Sequence, residues 1–179
     1  MHFDTAAFLA PISEADPCGP DLDLAGDPDY QGFVAHIEGK IPVENFAAFD
    51  RKSIAYDTEN ATIDELTTRT RDLKLLVFRA KLAILAGDLP GFAATLDIIA
   101  AALDQRWDEI NPRGEGGDYL LRMVTVGSLD DRPNCLMPLE LATLFSSRRF
   151  GAVTWRAIQI ADGKIAAREG ESAPDASHI

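Results

Sequence analysis

The sequence predicts an all-α protein, a helical bundle built around a long antiparallel helical hairpin, with an extended Pro/Gly-rich segment near its N-terminus. Two observations support this fold class. Two long stretches repeat apolar residues at helical spacing, and only a few residues separate them. Proline and glycine are concentrated between residues 11 and 28, where they disfavour regular structure.

The N-terminal part is predicted to contain two short helices joined by a turning path. The first helix covers residues 4–9 and ends at Ala10, because a residue that precedes proline avoids the α region. The second covers residues 28–38, with Pro28 at its first position and Asp27 as its N-cap. Apolar residues then follow at helical spacing: Tyr30, Phe33, Val34 and Ile37. Residues 40–61 show no clean period and are predicted to be a long connection with a short helical turn.

The first arm of the hairpin is predicted over residues 62–86. Thr62 and Glu65 match a capping box, and Gly87 supplies the stop. The apolar residues between them form one stripe, which consists of Leu66, Leu73, Val77, Ala80 and Ile84. Three cations, Arg69, Lys74 and Lys81, are predicted to point away from this stripe.

The second arm is predicted over residues 89–108, and Asn111-Pro112 ends it. Its apolar residues have a heptad-like spacing and are expected in the core: Phe92, Leu96, Ile99, Leu103, Trp107 and Ile110. Because the connection between the arms is short, the two helices are expected to pack antiparallel.

The C-terminal part is less regular in sequence. A flexible stretch over residues 113–117 is followed by a predicted helix over residues 118–129. Residues 154–161 fit either a Thr-capped helix or a strand, and we favour the helix because the neighbouring elements are helical. One domain is predicted over residues 1–168, and residues 169–179 are small and polar enough to be disordered.

Composition narrows the function classes. The chain has 179 residues, 17 Lys and Arg against 29 Asp and Glu, and a net charge of −12, which argues against nucleic acid as a partner. Its N-terminus lacks the basic and apolar regions of a secretory signal, and its two cysteines form no disulfide framework, so we expect a cytoplasmic protein. Eight acids and no Lys or Arg occur in residues 1–39. This asymmetry indicates either solvated faces or an acidic surface that complements a basic one.

The acidic stretch "PCGPDLDLAGDPDY", residues 17–30, must be tested as a metal site. Asp21, Asp23 and Asp27 could occupy positions one, three and seven of a calcium loop. Ala25 and Gly32 then stand where two oxygen ligands are required, so the calcium pattern fails. The alternative is that Asp21 and Asp27 cap a turn and a helix, with Arg69, Arg71 and Arg79 as intramolecular or intermolecular counterparts of the acids.

The sequence offers little to a catalytic site and no cofactor is predicted. Its three histidines are His2, His36 and His178, so a His-based triad or zinc site has almost nothing to use. Cys18 lies between proline and glycine without a local histidine or cation to favour its thiolate. The glycine-rich run near residue 115 lacks the lysine and hydroxyl residue of a phosphate loop. We therefore predict that the protein is not an enzyme.

Three blocks of the chain resemble the ImpA-related (TssA) family of bacterial type VI secretion systems. The first block, "LAPISEADPCGPDLDLAGDPDY", is similar to the family's N-terminal signature. The second contains a "TRDL" helix start and "WDEINP" at a helix end, and the third is "SSRRFGAVTWRAIQIADG". The residues that match the family's motifs are Pro17, Cys18, Gly19, Asp21, Leu22, Asp27, Pro28, Tyr30, Arg71, Asp72, Leu73, Trp107, Asp108 and Pro112. Residues 41–61 depart from it, because Phe46, Phe49 and Tyr56 replace a tryptophan-led helix.

The resemblance implies a non-enzymatic assembly factor of a contractile injection machine. It implies that the domain helps to recruit or order baseplate, sheath, tube or membrane-complex subunits. It also implies that the full-length protein forms a homo-oligomer through a C-terminal region beyond this chain, which would then be an isolated domain or a shortened family member.

Two main functions from different classes follow, and a hydrolase ranks third. The first is a protein-interaction domain, for which Arg148, Arg149, Phe150 and Trp155 are candidate contact residues, because arginine and tryptophan are enriched at interface hot spots. In the alternative, Phe150 and Trp155 complete the core and the arginines pair with local acids. The second function is a small-ligand- or peptide-binding helical regulator. A polar, buried pocket would favour the regulator, and an exposed apolar or charged patch would favour the interaction domain.

Overall fold

The computed structural model describes residues 5–44, 46, 49–114 and 116–171. In these residues the fold is mostly helical. The α-helices are α1 (Thr5–Leu9), α2 (Pro28–Glu38), α3 (Tyr56–Thr67), α4 (Leu73–Ala86), α5 (Leu89–Gln105), α6 (Leu120–Gly127), α7 (Met137–Leu141) and α8 (Trp155–Ala161). Short 3₁₀ turns occur at Arg51–Ser53 and Ser128–Asp130, and a π-helical turn at Arg132–Leu136.

The all-α prediction is corrected by a small antiparallel sheet. Strands β1 (Thr143–Ser147) and β2 (Gly151–Thr154) pair with Phe145 opposite Val153. This segment gave no clear signal in the sequence, because two strands of four or five residues are too short for a convincing period. Only Val153 of the two strands is buried, so the sheet lies at the surface of the helical body.

The predicted helix over residues 62–86 is two helices, α3 and α4, separated by a turn at residues 68–72. The prediction of a capping box at Thr62 and Glu65 is therefore wrong. Thr62 lies inside α3, where its hydroxyl donates to the carbonyl of Thr58 at 3.1 Å. Asp72 is the N-cap of α4 instead, accepting from the backbone N–H of Lys74. Residues 56–61, predicted as part of a connection, form the first half of α3.

Helix α4 is the centre of the fold and is buried on almost all sides. Each of the three apolar clusters in the described structure contains residues of α4. The apolar stripe predicted for α4 is therefore narrower than the buried surface of the helix. This buried surface includes two cations, Arg79, which is 9% exposed, and Lys81, which is 5% exposed. A helix that is surrounded by other elements has no polar face to show a clear period.

Helix α5 follows α4 after two residues and packs against it. Gly87 ends α4 with a φ of +82°, in the left-handed region that glycine adopts readily. Asp88 then caps α5 by accepting from the N–H of Gly91 at 2.9 Å. Phe92, Ile99 and Ile110 are buried as predicted, whereas Leu96 and Leu103 are half-buried. Trp107 lies beyond the end of α5 and is 42% exposed, so its assignment to the core is wrong.

The remaining elements agree in part with prediction. Helix α6 ends earlier than predicted and continues as the 3₁₀ turn Ser128–Asp130. Helix α8 is the predicted Thr-capped helix, because the Thr154 hydroxyl accepts from the N–H of Ala157. Arg156 of α8 pairs with Glu171 at 2.6 Å. Residues 172–179, most of the predicted disordered tail, lie outside the described residues.

None of the helices in the described part of the chain combines the length and apolarity that a membrane span requires.

Candidate protein-interaction surface and family motifs

The loop of residues 17–20 is bound to the turn that joins α3 and α4. The N–H of Arg71 donates to the carbonyl of Cys18 at 2.7 Å. Gly19 has a φ of +68°, and a β-carbon there would overlap the carbonyl oxygen of Arg69. Cys18 is fully buried, and burial raises the pKa of its thiol. These contacts indicate a structural role for the loop.

Asn111 joins the end of the second sequence block to the start of that block and to the first block. It is fully buried, and its side-chain amide donates to the carbonyls of Gly19 and Pro20, both at 3.2 Å, and to the hydroxyl of Thr70 at 3.0 Å. Its carbonyl accepts from the N–H of Leu73 at 2.9 Å. Residues 17–20, 69–73 and 110–113 therefore meet in one place, which we call the motif junction.

Asp72 connects the motif junction to α2. One carboxylate oxygen accepts from the N–H of Lys74 at 2.6 Å, and the other accepts from the Tyr30 hydroxyl at 2.8 Å. Burial raises the pKa of Asp72 to about 6, although both hydrogen bonds act to lower it. Burial, with Asp72 beside it, also raises the pKa of Tyr30 above its usual value.

Two aspartates of the acidic stretch are caps. Asp21 accepts from the N–H of Leu24 at 3.0 Å and closes a turn. Asp27 accepts from the N–H of Tyr30 at 3.0 Å and caps α2, as the sequence predicts. The backbone hydrogen bond from Tyr30, together with Arg69, lowers the pKa of Asp27. Other motif residues hold the same segment, since Leu22 is buried in the core and Pro28 is the first residue of α2.

Only one of the three predicted cationic counterparts meets the acidic stretch. Arg69 forms ion pairs with Asp27 and Asp29. Arg71 instead donates to backbone carbonyls at the end of α1 and in α3. Arg79 pairs with Asp64 of the neighbouring helix α3. As partners within the chain, Arg71 and Arg79 are thus wrongly predicted, because sequence spacing does not show that Arg71 in the turn before α4 faces α1 or that Arg79 on α4 faces α3.

Arg122, which the sequence analysis missed, organises the chain between α5 and α6. It is 3% exposed, and its guanidinium donates to the carbonyls of Trp107 at 2.6 Å, Ile110 at 2.7 Å and Pro112 at 2.9 Å. The same group lies 4.7 Å from the Trp107 ring and 5.2 Å from the Tyr119 ring. The only signal was one cation inside the apolar run of residues 120–126. The motif residues Trp107 and Pro112 are therefore parts of a clamp around Arg122.

An open groove of about 860 Å³ lies between α4, α6 and the N-terminal segment. Four of its apolar lining residues are largely exposed: Leu24 is 80%, Leu120 is 61%, Leu121 is 69% and Val124 is 62% exposed. The sequence analysis also missed this cluster, because the exposed apolar residues of α6 have the helical spacing that is typical of a buried face. Exposed apolar residues on this scale are typical of interaction sites.

Most charged groups that line the groove already have partners. Lys74 lies 3.7 Å from Asp23 and 3.9 Å from Glu38. Arg113 pairs with Asp16, and Arg122 is held by carbonyls. Lys81 is different, because its side chain lines the groove without a hydrogen bond or ion pair to any described residue.

The candidate contact residues of the third block do not form one patch. Arg148, Arg149 and Phe150 occupy the turn between β1 and β2, where both arginines are exposed and Phe150 is half-buried. Trp155 is 46% exposed and begins α8, beyond the far end of β2. Four residues of strand separate the two places, which corresponds to roughly 13 Å. Trp155 does not complete the core, but it is not next to the turn either.

A second depression, of about 550 Å³, contains His36, the one histidine among the described residues. Its Nε2 lies 2.9 Å from a carboxylate oxygen of Glu59. The nearby Thr62 hydroxyl donates to a backbone carbonyl, so it is not directed at the imidazole. A His–Glu pair without a positioned nucleophile is incomplete as a hydrolytic site.

Within the described ranges, no group of three or more His, Cys, Asp or Glu residues could hold a metal ion. The motif residue Asp108 is exposed.

These features define a mostly helical domain that combines a buried, hydrogen-bonded motif junction with an open apolar groove. The family model described as "ImpA, N-terminal, type VI secretion system" matches residues 9–131. The chain therefore belongs to the ImpA N-terminal family of the type VI secretion system.

Comparison with solved structures supports the same fold. The chain is similar to a structure described as the N-terminal domain, including the conserved ImpA_N region, of the TssA component of the type VI secretion system from Burkholderia cenocepacia. The TM-score is 0.65 and the sequence identity 21%, over 99% of this chain and 69% of that chain. No curated protein gives a significant sequence match.

Proposed function

We propose that this chain is a non-enzymatic protein-interaction domain of a cytoplasmic type VI secretion assembly factor. In this role it recruits or orders components of the tail, baseplate or membrane complex. Family membership supports the secretion system as the setting, and the exposed apolar groove supports protein binding as the activity.

The observation that carries this proposal is the exposed apolar surface of α6. Leu120, Leu121, Met123 and Val124 are between 61% and 70% exposed on a helix of eight residues. Burial of apolar surface stabilises a protein or complex by about 25 cal/mol for each Å² that is removed from water. The exposed side chains of α6 do not make this contribution in the isolated chain. A surface of this kind gains stability when a partner covers it.

A small-ligand regulator is the second candidate, and the same groove bears on it. Its volume is in the range of small-molecule sites. Its walls are open, however, and a compact ligand would leave much of Leu24, Leu120 and Leu121 in water. A partner segment that covers the length of α6 accounts for this exposure better.

The proposal is tested by pairwise copurification of this chain with separately produced tube, sheath, baseplate and membrane-complex subunits. We expect at least one subunit to be retained at physiological salt. If none is retained while the chain is folded, the proposed function is wrong.

The turn between β1 and β2 is a candidate second contact. Reversing both exposed arginines, Arg148→Glu with Arg149→Glu, should preserve folding and weaken capture of that subunit by about 1 kcal/mol, since the rest of the chain is acidic. Lys52→Glu with Arg168→Glu is the matched control, because both residues are exposed and the net charge changes equally. Equal capture by the two variants would remove the turn from the interface. Loss of folding in the first variant would place the arginines in a structural network.

A further inference from the structure

Lys81 is a buried cation that has no bonding partner in the described structure. It is 5% exposed, in the middle of the central helix α4, and its side chain lines the groove. Every other buried cation in the described chain is bonded: Arg79 pairs with Asp64, Arg122 donates to carbonyls, and Arg156 pairs with Glu171. The Nζ of Lys81 is not one of the fully buried side-chain atoms without a hydrogen bond, so the alkyl stem is buried while the ammonium reaches the water of the groove. Lys81 therefore offers the groove a cation that no described residue pairs with an anion.

The surroundings of Lys81 do not supply that anion. Asp131, Cys135 and Glu38 favour its charged form from a distance, yet none of them lies within ion-pair or hydrogen-bond range. Burial is the larger influence and lowers the pKa of Lys81. Of these groups, Glu38 is the one that lines the groove, and it already faces Lys74 at 3.9 Å.

The groove presents an apolar surface around this cation. On α4, Val77 and Phe78 lie one turn before Lys81, and all three line the groove. On α6, Leu121 and Val124 are three residues apart and line the opposite side. An occupant must therefore offer apolar side chains to both helices and an acceptor group to the ammonium.

We propose that this groove binds an amphipathic helical segment of a partner protein that carries an Asp or Glu side chain, whose carboxylate pairs with Lys81. This inference rests on the proposed function and names the partner segment that the function requires. A helical segment fits because it repeats its apolar residues every three or four positions, as the groove walls do. Its carboxylate would satisfy the one charged group of the groove that is left unpaired within the described chain.

The probe is a phage-displayed library of random 15-residue peptides, selected on the full chain. We expect the selected peptides to share apolar residues at three- and four-residue spacing together with an Asp or Glu. The selected peptides are then synthesised in two forms, with the acid and with its amide (Glu→Gln or Asp→Asn). The amide form should bind the wild-type chain at least tenfold more weakly, because a neutral amide cannot replace the charge-assisted hydrogen bond between carboxylate and ammonium.

Lys81→Met separates a pairing role from general packing. On this variant, the acid and amide peptides should bind within about twofold of each other, because the cation is gone. The free variant should melt close to the wild-type temperature, since methionine keeps the buried stem and removes a charge that no described residue pairs with. A comparable preference for the acid on both chains would overturn the assignment, as would selected peptides whose shared charge is Lys or Arg.

Leu121→Asp tests the apolar wall, and Met123→Asp is its matched control. Both residues lie on α6 and are about 70% exposed, but only Leu121 lines the groove. Leu121→Asp should abolish peptide binding, and Met123→Asp should change it less than twofold. Val124→Asp provides a second variant if Leu121→Asp does not fold. Equal losses at Leu121 and Met123 would show that the peptides do not occupy the groove.

The two proposals fail in different ways. If a secretion subunit is captured and its capture survives both Leu121→Asp and Lys81→Met, the proposed function stands and the groove assignment is wrong. If the selected peptides obey the pairing test but no subunit is captured, the groove assignment stands and the proposed function is wrong.

Discussion

Replacing Arg122 with methionine should destabilise the fold more than its position on an exposed helix indicates. Methionine keeps much of the side-chain volume and removes every donor. The carbonyls of Trp107, Ile110 and Pro112 then lose the guanidinium, and the rings of Trp107 and Tyr119 lose their cation. The substitution therefore tests whether this clamp holds the chain between α5 and α6.

The expected magnitude follows from which carbonyls water can reach. Ile110 is fully buried, so its carbonyl bears the cost of an unsatisfied acceptor, about 1–3 kcal/mol. Trp107 and Pro112 are not fully buried, so water replaces part of their loss, and each contributes about 0.5–1 kcal/mol. The two cation–ring contacts add about 0.5–1 kcal/mol each. Part of this total is offset because a buried charge is also removed, which leaves about 3 kcal/mol.

Thermal unfolding followed by circular dichroism measures this effect. For a chain of this size, 1 kcal/mol corresponds to about 2–4 °C, so Arg122→Met should lower the melting temperature by about 6–12 °C. Arg132→Met is the control, because its side chain is 60% exposed and lies 3.9 Å from Glu140. An exposed pair of this kind contributes at most about 1 kcal/mol. If both variants melt within 2 °C of each other, the clamp does not stabilise the domain.

Three further predictions use other parts of the structure. Ile99→Asp places an unpaired charge in the core at a residue that is 4% exposed, so it should cost several kcal/mol; a wild-type melting temperature would contradict the core assignment. The pKa of Asp72 is raised from 3.8 to about 6, so the folded state binds its proton more tightly, and the contribution of this group to stability falls as pH rises from about 4 to about 6. Relative to wild type, the free energy of urea unfolding of Asp72→Asn should therefore rise by about 2 kcal/mol between pH 4 and pH 7, and a constant difference would refute the raised pKa. Millimolar calcium should leave the melting temperature unchanged, because the Asp21 and Asp27 carboxylates already cap a turn and a helix. A saturable rise in melting temperature would support the calcium-loop hypothesis.

The sequence alone determined where several helices begin and end. Asp27 with Pro28 at the start of α2, Gly87 at the end of α4 and Thr154 before α8 are all recognisable without a structure, because each acts on backbone groups within a few residues. The family was also recognisable, since its motif residues occur in three blocks in the correct order. Motifs of this kind are local in sequence even where their contacts are not.

Tertiary structure decided where the helices break and what the motifs do. The interruption between α3 and α4 depends on Asp72, whose carboxylate is held by Tyr30, a residue 42 positions earlier. A periodic pattern cannot distinguish one long helix from two when the apolar residues remain in phase across the break.

The candidate site depended on tertiary structure even more strongly. Arg122 and Lys81 are ordinary cations in the sequence, and burial makes one a clamp and the other an unpaired charge. Leu121 and Val124 have the same spacing as core residues, but α6 lies at the edge of the bundle and leaves them in water. Spacing identifies which residues share a helix face, whereas only the positions of the other helices determine whether that face is covered.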